Sequence, residues 1–452
     1  MKRYSIILLT ALGLATFSGC DDVLDVEPTT AIEAEGAISD FTTLQRAALG
    51  AYSAMQSTNY YGLRYLLYQG VYADNLEHRG TFTTDREVTA RNINASNLQI
   101  ANTWATIYTV INRANLVLRS ADQLTNLTDA QRNRIKGEML FLRGLAYFDL
   151  VKVFGGVPTP LTPTTEISEI QSLPRSTESQ VYDLIINDLN QAETLLQGIN
   201  SPKTRATSSA ATALLARVHL QRGNNALAEA KANQVITSNR FALEQDFRNI
   251  FATEGGSEII FEVDFTLNDQ NGLGSASNPA TPGQKFYLRE GAYNALQTSA
   301  QNGDKRFAAT TTIQSSRRRL IKYEDVVNNA DNVPVIRLAE MYLIRAEARA
   351  RQGVASAPAS PQVIADINQI RTRAGLPPVL VLTNAQALTE ILEQRRLEFI
   401  GEGLRFIDLK RYNLTCERLG FCAATNETFR NLWPIPLQQI EVNSSLTQNP
   451  GY

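Results

Sequence analysis

From residue 40 onward, apolar positions recur three and four residues apart. Leu44, Ala47, Ala48, Ala51 and Met55 form one such face, and Asp40 stands where a helix cap belongs. Trp104, Tyr108, Ile111 and Leu118 mark a second helix. A third is expected over 128–154, opened by Thr128 with Gln131 three residues on, the capping-box spacing. Its stretch from Leu140 to Phe154 is apolar on most sides and should be buried rather than amphipathic. Gly155, Gly156 and Pro158 end it. Further helices fit 178–197, 207–222, 225–238, 335–352, 360–373 and 384–400, the last opened by Thr383 with Gln386.

Two of the helix pairs share a register. Leu215, Ala216, His219, Gly223, Ala228 and Ala232 occupy the spaced aliphatic, small and aromatic positions of a tetratricopeptide repeat. Ala346 and Gly353 repeat the step between Ala216 and Gly223, and a helix bearing Ala365, Ile367 and Ile370 follows. Small residues at a crossing let paired helices approach closely. The periodicity thus predicts a mainly α fold, a tetratricopeptide-like helical-repeat scaffold.

Residues 255–334 break that pattern. Ile259 to Val263 reads as a short strand, and 268–283 is rich in Gly, Asn, Ser and Pro, which favours loop. An irregular, loop-rich insertion on a helical scaffold is where a ligand-binding region is expected. The organisation expected is one body over 39–452. It has helical scaffold at 39–254 and 335–411, the insertion at 255–334, and an ordered terminal segment at 412–452.

The first residues are of another kind. Lys2 and Arg3 precede a mostly apolar stretch from Ser5 to Phe17 that is too short to span a bilayer, and Phe17-Ser18-Gly19-Cys20 reads as a lipobox. Residues 1–19 are expected to be a signal peptide, Cys20 the lipidated residue, and 20–38 a tether. Acyl chains on Cys20 would fix the body to a membrane, each buried methylene contributing ~0.8 kcal/mol.

Composition narrows the function. Lys+Arg 43 against Asp+Glu 45 leaves a formal net charge of −2, so the broad electrostatic drive for nucleic acid is missing. Arg317-Arg318-Arg319 is the one dense basic run and reads as a solvated surface turn. Two histidines, His78 and His219, leave little material for a metal cage or a Ser-His-Asp triad. Cys416 and Cys422 lie close together and, outside the cytoplasm, are a candidate disulfide.

Five stretches then become specific, in this order along the chain: GEMLFLRGLAYFDLVKVFGGVP (137–158), RLAEMYLIRAEARA (337–350), IRTRAGL (370–376), EQRRLEFIGEGLRFIDLKR (393–411) and WPIPLQQIEVNSSLTQNPGY (433–452). With the lipobox they resemble the SusD/RagB family, surface lipoproteins of Bacteroidetes nutrient-uptake systems. Asp21, Asp22 and Asp25 after Cys20 resemble the surface-export signal of such lipoproteins. The resemblance implies a helical fold with tetratricopeptide-like units and an irregular ligand-binding part. It implies an outer-membrane protein facing outward, lying as a lid on a SusC-like TonB-dependent barrel. Glycans or oligosaccharides are the ligands implied, with peptides in the RagB branch; a scaffold subunit that binds no ligand is the other alternative. No catalytic residue, metal or cofactor is implied.

The residues bear separately on catalysis. Paired carboxylates can cleave a glycosidic bond when one stays protonated. Here Glu393, Glu398, Glu402 and Asp408 alternate with Arg395, Arg396, Arg405 and Arg411, which would hold them ionised in an ion-pair network.

Sugars are held by flat aromatics and by polar side chains that bond their hydroxyls. The richest such cluster is 59–79, with Tyr60, Tyr61, Tyr65, Asp74, Asn75, His78 and Arg79 as candidate ligand contacts. Tyr61 and Tyr65 lie at helical spacing with Tyr68 and Tyr72, which also suits a core stripe. The insertion offers Tyr287 and Tyr293, with Asp264 and Arg289 nearby in sequence. Many glycan-binding members carry an exposed tryptophan platform. Trp104 and Trp433 both fall in structural patterns, which points to a smaller saccharide or a peptide rather than a broad polysaccharide.

Overall fold

The structure, a computed structural model, describes residues 37–278, 285–422 and 427–452. The lipobox with Cys20, and Asp21, Asp22 and Asp25 after it, lie outside the described residues. The main helices of the first half are α1 (Phe41–Met55), α2 (Arg64–Tyr72), α3 (Thr83–Ala90), α4 (Leu98–Gln123), α5 (Asp129–Phe154), α6 (Glu178–Leu195), α7 (Ser208–Gln221) and α8 (Asn225–Thr237). The second half adds α9 (Glu290–Ala300), α10 (Leu338–Gln352), α11 (Pro361–Ala374), α12 (Asn384–Glu398) and α13 (Arg405–Arg411).

Caps set several starts. Asp40 Oδ1 accepts from Thr43 N at 2.8 Å, and Thr128, Thr177 and Thr383 each open a full capping box. The helices then stack serially, α4 on α5, α5 on α6, α6 on α7, α7 on α8, α8 on α10, and α10 on α11 and α12. From Gly137 to Phe154, α5 is buried on every side, because α4 and α6 flank it. Its charged residues there are all compensated; Arg143, for example, binds Asp188 through two bonds of 2.7 and 2.8 Å.

The repeated glycines serve different needs. Gly223 after α7 has φ +81°, a conformation costly for any side chain. Gly353 after α10 has ordinary φ, but a Cβ there would lie 2.4 Å from Asn384 Nδ2. The shared step in sequence therefore marks two tight helix ends with separate causes.

Among the described residues six short strands interrupt the helices: β1 (Leu76–His78), β2 (Ile259–Val263), β3 (Phe286–Leu288), β4 (Thr311–Gln314), β5 (Arg317–Leu320) and β6 (Val333–Arg337). They form antiparallel pairs β1–β3, β2–β6 and β4–β5. The helix expected over 335–352 thus begins at Leu338, and residues 335–337 belong to β6. Val333, Val335 and Ile336 favour strand, and Pro334 cannot donate to a helical ladder. β6 also closes the insertion, fastening its end to β2 at its start. The stretch expected as loop over 268–283 holds a short helix, Leu273–Ser277; residues 279–284 lie outside the described residues.

The alternating acids and arginines lie inside. Arg337, on β6, reaches Glu258 at 2.6 Å, Glu398 at 2.7 Å and Glu402 at 2.7 Å. Arg373 also binds Glu258 and Glu398, Arg306 binds Glu398 at 3.0 Å, and Lys322 binds Glu402 at 2.7 Å. A second group joins Arg411 to Glu347 at 2.7 Å and to Asp408 at 2.8 Å, with Arg395 on Asp408. Burial alone would raise the Glu398 carboxyl, but Arg373, Arg337 and Arg306 outweigh it and hold it far below the usual range.

The terminal segment closes over the end of α5. Trp433 is fully buried among Tyr68, Tyr72 and Phe154, and Asn449 Nδ2 donates to Phe154 O at 3.0 Å and Trp433 O at 2.8 Å. Cys416 and Cys422 are joined as a disulfide.

Candidate functional site

The three neighbouring tyrosines of α2 and the loop before it point inward. Tyr60, Tyr61 and Tyr65 are at most 4% exposed. Tyr60 and Tyr61 hydroxyls donate to Asp149 Oδ2 at 2.6 and 2.8 Å, and Tyr65 donates to Asp149 O at 3.1 Å. Lys152 completes the knot at 2.5 Å from Asp149 Oδ1. Burial, then the Asp149 charge, push all three phenols well above their ordinary value. These side chains fasten α2 to α5 and are closed to a ligand, so the core reading of the stripe is the one the packing follows.

Asp74 and Asn75 are also engaged. Arg405 holds Asp74 through two bonds of 2.7 and 2.8 Å, and Arg396 Nε donates to Asn75 Oδ1 at 3.1 Å. Burial would raise the Asp74 carboxyl; Arg405 reverses this and lowers it. His78 is buried against Phe286, with ring centroids 5.0 Å apart. Burial, with Lys285 and Arg64 behind it, lowers its pKa against the opposing pull of Asp85. Tyr293 packs on Phe307 at 5.5 Å. Arg289 donates to the carbonyls of Leu76, Val71 and Thr89, a structural clamp.

Arg79 remains exposed, and the β1–β3 pairing sets it against Tyr287, which is itself buried at 2% exposure. Arg79 leaves the end of β1 with its side chain 49% exposed, and Glu77 accepts from it at 2.7 Å. Its guanidinium lies 5.8 Å from the centre of the Tyr287 ring, and that of Arg317 lies 5.4 Å from the same ring. Arg317 Nη1 also donates to the Tyr287 hydroxyl at 2.7 Å. Phe82, 55% exposed, stands beside them with the Lys285 ammonium 4.4 Å from its ring. The surface so formed carries one exposed aromatic face and several donors, the chemistry that grips a saccharide.

Phe82, Lys285 and Arg317 were not singled out as contacts by sequence reading. Phe82 is a single aromatic in polar surroundings and Lys285 a single cation before an apolar strand, and neither makes a pattern. The basic run did give one. It was expected as a turn; the turn proper is Ser315-Ser316, both with positive φ, and the three arginines form β5.

A separate cavity of about 370 Å³ lies between α4 and the 158–173 segment. Trp104, Tyr108, Pro158 and Leu173 line it. Its polar groups are already used: Tyr108 donates to Pro158 O at 2.6 Å, and Asn112 bonds Thr164 through both amide atoms. Among the described residues no group of three or more His, Cys, Asp or Glu is placed to hold a metal ion. Nor is any described helix long and apolar enough to cross a membrane.

Comparison with known proteins agrees with this architecture. The family described as "Starch-binding associating with outer membrane" matches residues 22–220, and the SusD family matches residues 286–420. A SusD-like protein of Formosa agariphila is 28% identical over the whole of both chains. The starch-binding protein SusD of Bacteroides thetaiotaomicron is 24% identical over 73% of this chain and 75% of its own. Among solved structures, a laminarin-binding SusD-like protein superposes with a TM-score of 0.79 at 26% identity, covering 92% of this chain and all of that one. A SusD superfamily protein of Bacteroides thetaiotaomicron gives 0.81 at 26% identity, covering 91% of this chain and 99% of that one. With two family matches covering most of its length and the stacked helical pairs to go with them, the chain belongs to the SusD/RagB family.

Proposed function

We propose that this protein captures a glycan or oligosaccharide at the outer membrane and hands it to a SusC-like TonB-dependent barrel. The observation that carries the reading is the accessible surface of Arg79, Phe82 and Lys285 around the β1–β3 pair, standing on a scaffold whose buried carboxylates Glu258, Glu398 and Glu402 are held by cations. Relatives named for binding starch and laminarin support a saccharide as the occupant. The outer-membrane description of the family and the lipobox at Cys20 support an anchored protein outside the cytoplasm.

The role is binding and not catalysis. A glycosidic acid must carry a proton near neutral pH. Glu398 and Glu402, the acids that most invite such a role in sequence, are buried and held ionised by arginines and Lys322.

The test is a calorimetric screen of the mature chain, with Cys20 removed, against starch and laminarin oligosaccharides and mixed peptides. Saccharide binding that weakens in Arg79→Ala and Phe82→Ala supports capture at this surface. Binding to peptides alone would replace the saccharide by a peptide. Co-purification of the anchored protein with a barrel tests the delivery step.

A further inference from the structure

Burial of a guanidinium without a counter-charge is strongly unfavourable, and proteins normally avoid it. This chain follows the rule at Arg143, Arg217, Arg306, Arg337 and Arg395, each of which meets a carboxylate. Arg319 does not. It is 6% exposed, and its Nε and Nη1 are buried with no hydrogen-bond partner among the described residues.

Its surroundings add positive charge. The alternation of β5 sends Arg317 and Arg319 to one side and Arg318 to the other, where Arg318 Nε donates to Leu288 O at 3.4 Å. Arg317 reaches the Tyr287 hydroxyl, and Arg79 flanks the same ring. The nearby carboxylate of Glu77 is taken by Arg79. Burial and the neighbouring Arg317 both disfavour the charged form of Arg319. A guanidinium nonetheless stays protonated at neutral pH, so the charge persists.

We propose that the captured saccharide is anionic, and that its carboxylate or sulfate group meets Arg317 at the surface and Arg319 behind it. This rests on the saccharide-capture reading above and adds the charge class of the ligand. A planar guanidinium offers two parallel N–H donors, which match the paired oxygens of a carboxylate or sulfate. Phe82 at the rim supplies a flat face for the ring carrying that group.

The test uses the mature chain and three oligosaccharide sets: alginate for carboxylate, carrageenan for sulfate, and laminarin as the neutral set. One anionic set should bind at least tenfold more tightly than laminarin, and added salt should weaken that binding. Arg317→Gln and Arg319→Gln should each lower anionic binding about tenfold and lower laminarin binding far less, while Arg240→Gln, an exposed arginine away from this surface, should change neither. Arg317 is exposed, so its variant stays informative even if Arg319→Gln folds poorly. Laminarin bound as tightly as both anionic sets, with Arg317→Gln silent, would overturn the charge class and leave saccharide capture standing. Binding to none of the three sets would overturn the charge class, and silence toward starch as well would remove saccharide capture.

Discussion

Glu77 on β1 stands opposite Tyr287 on β3 in an antiparallel pair. That one register brings the polar end of the 59–79 cluster beside the insertion and makes a single surface of two sequence features. Arg79 follows β1, and its backbone N–H donates to Lys285 O at 2.8 Å, which extends the pairing toward the accessible rim.

Arg79→Ala and Phe82→Ala remove side chains that point into solvent. Exposed substitutions of this kind usually shift stability by no more than about 0.5 kcal/mol. Saccharide affinity should fall several-fold in each, with thermal unfolding unchanged. Unfolding that shifts in step with affinity would mean the residues act through the fold.

Much of the scaffold was legible, because caps and helical periodicity are local signals. Thr128 with Gln131 and Thr383 with Gln386 bond as their spacing predicts. The start of α10 was not legible, since residues 335–337 obey a partner strand far away in sequence. The site was legible only in part. Side-chain type nominated Tyr60, Tyr61, Tyr65, Asn75, His78, Tyr287 and Tyr293, yet all seven are buried. A tyrosine that grips a sugar and one that caps a buried carboxylate look alike until the carboxylate is seen, and Asp149 is far from them in the chain. Arg319 was visible as charge, but its lack of a partner is a tertiary fact.

The Asp149 knot makes a prediction of its own. Tyr60→Phe and Tyr61→Phe each delete a hydrogen bond to a buried carboxylate, worth about 1.5–3 kcal/mol to a charged group. Asp149→Ala strips partners from two tyrosines and from Lys152 together and should cost more than either. Urea denaturation would rank the three variants. Saccharide affinity of the folded fraction should stay at its wild-type value; a selective loss of binding in Tyr60→Phe would return that residue to the site.

Arg337 joins three carboxylates that are themselves buried. Removing one partner of a buried charge pair typically costs about 3–5 kcal/mol. Arg337→Met should therefore lower the unfolding midpoint sharply or prevent soluble expression. Arg337→Lys should fall between, because an ammonium keeps the charge but lacks the fork that reaches Glu258, Glu398 and Glu402 together. Equal stability of Met and Lys variants would show that packing, not charge, holds this part of the core.

Acid should unfold the protein in two stages. Burial, with nearby cations, lowers the pKa of His78 and His219 from 6.5, so the unfolded chain binds more protons and stability begins to fall as pH drops below that value. The second stage comes from paired acids. Burial alone would raise Glu347, but Arg411, Arg351 and Arg395 bring it down to about 2 from 4.5. Its folded value lies below its unfolded one, so its contribution is full above about pH 4.5 and is lost as pH falls through about 2. For this one group the linkage is on the order of 3 kcal/mol. Glu398, Glu402 and Asp304 act in the same direction, while Asp188, Asp366 and Glu262, whose values are raised, oppose it. Urea midpoints measured from pH 7.5 to 3 should decline gently below about 6.5 and steeply below about 4.5. Glu347→Gln should start less stable at neutral pH and show a shallower acid limb. A midpoint that stays level down to pH 3 would contradict the ionised, arginine-held state assigned to these carboxylates.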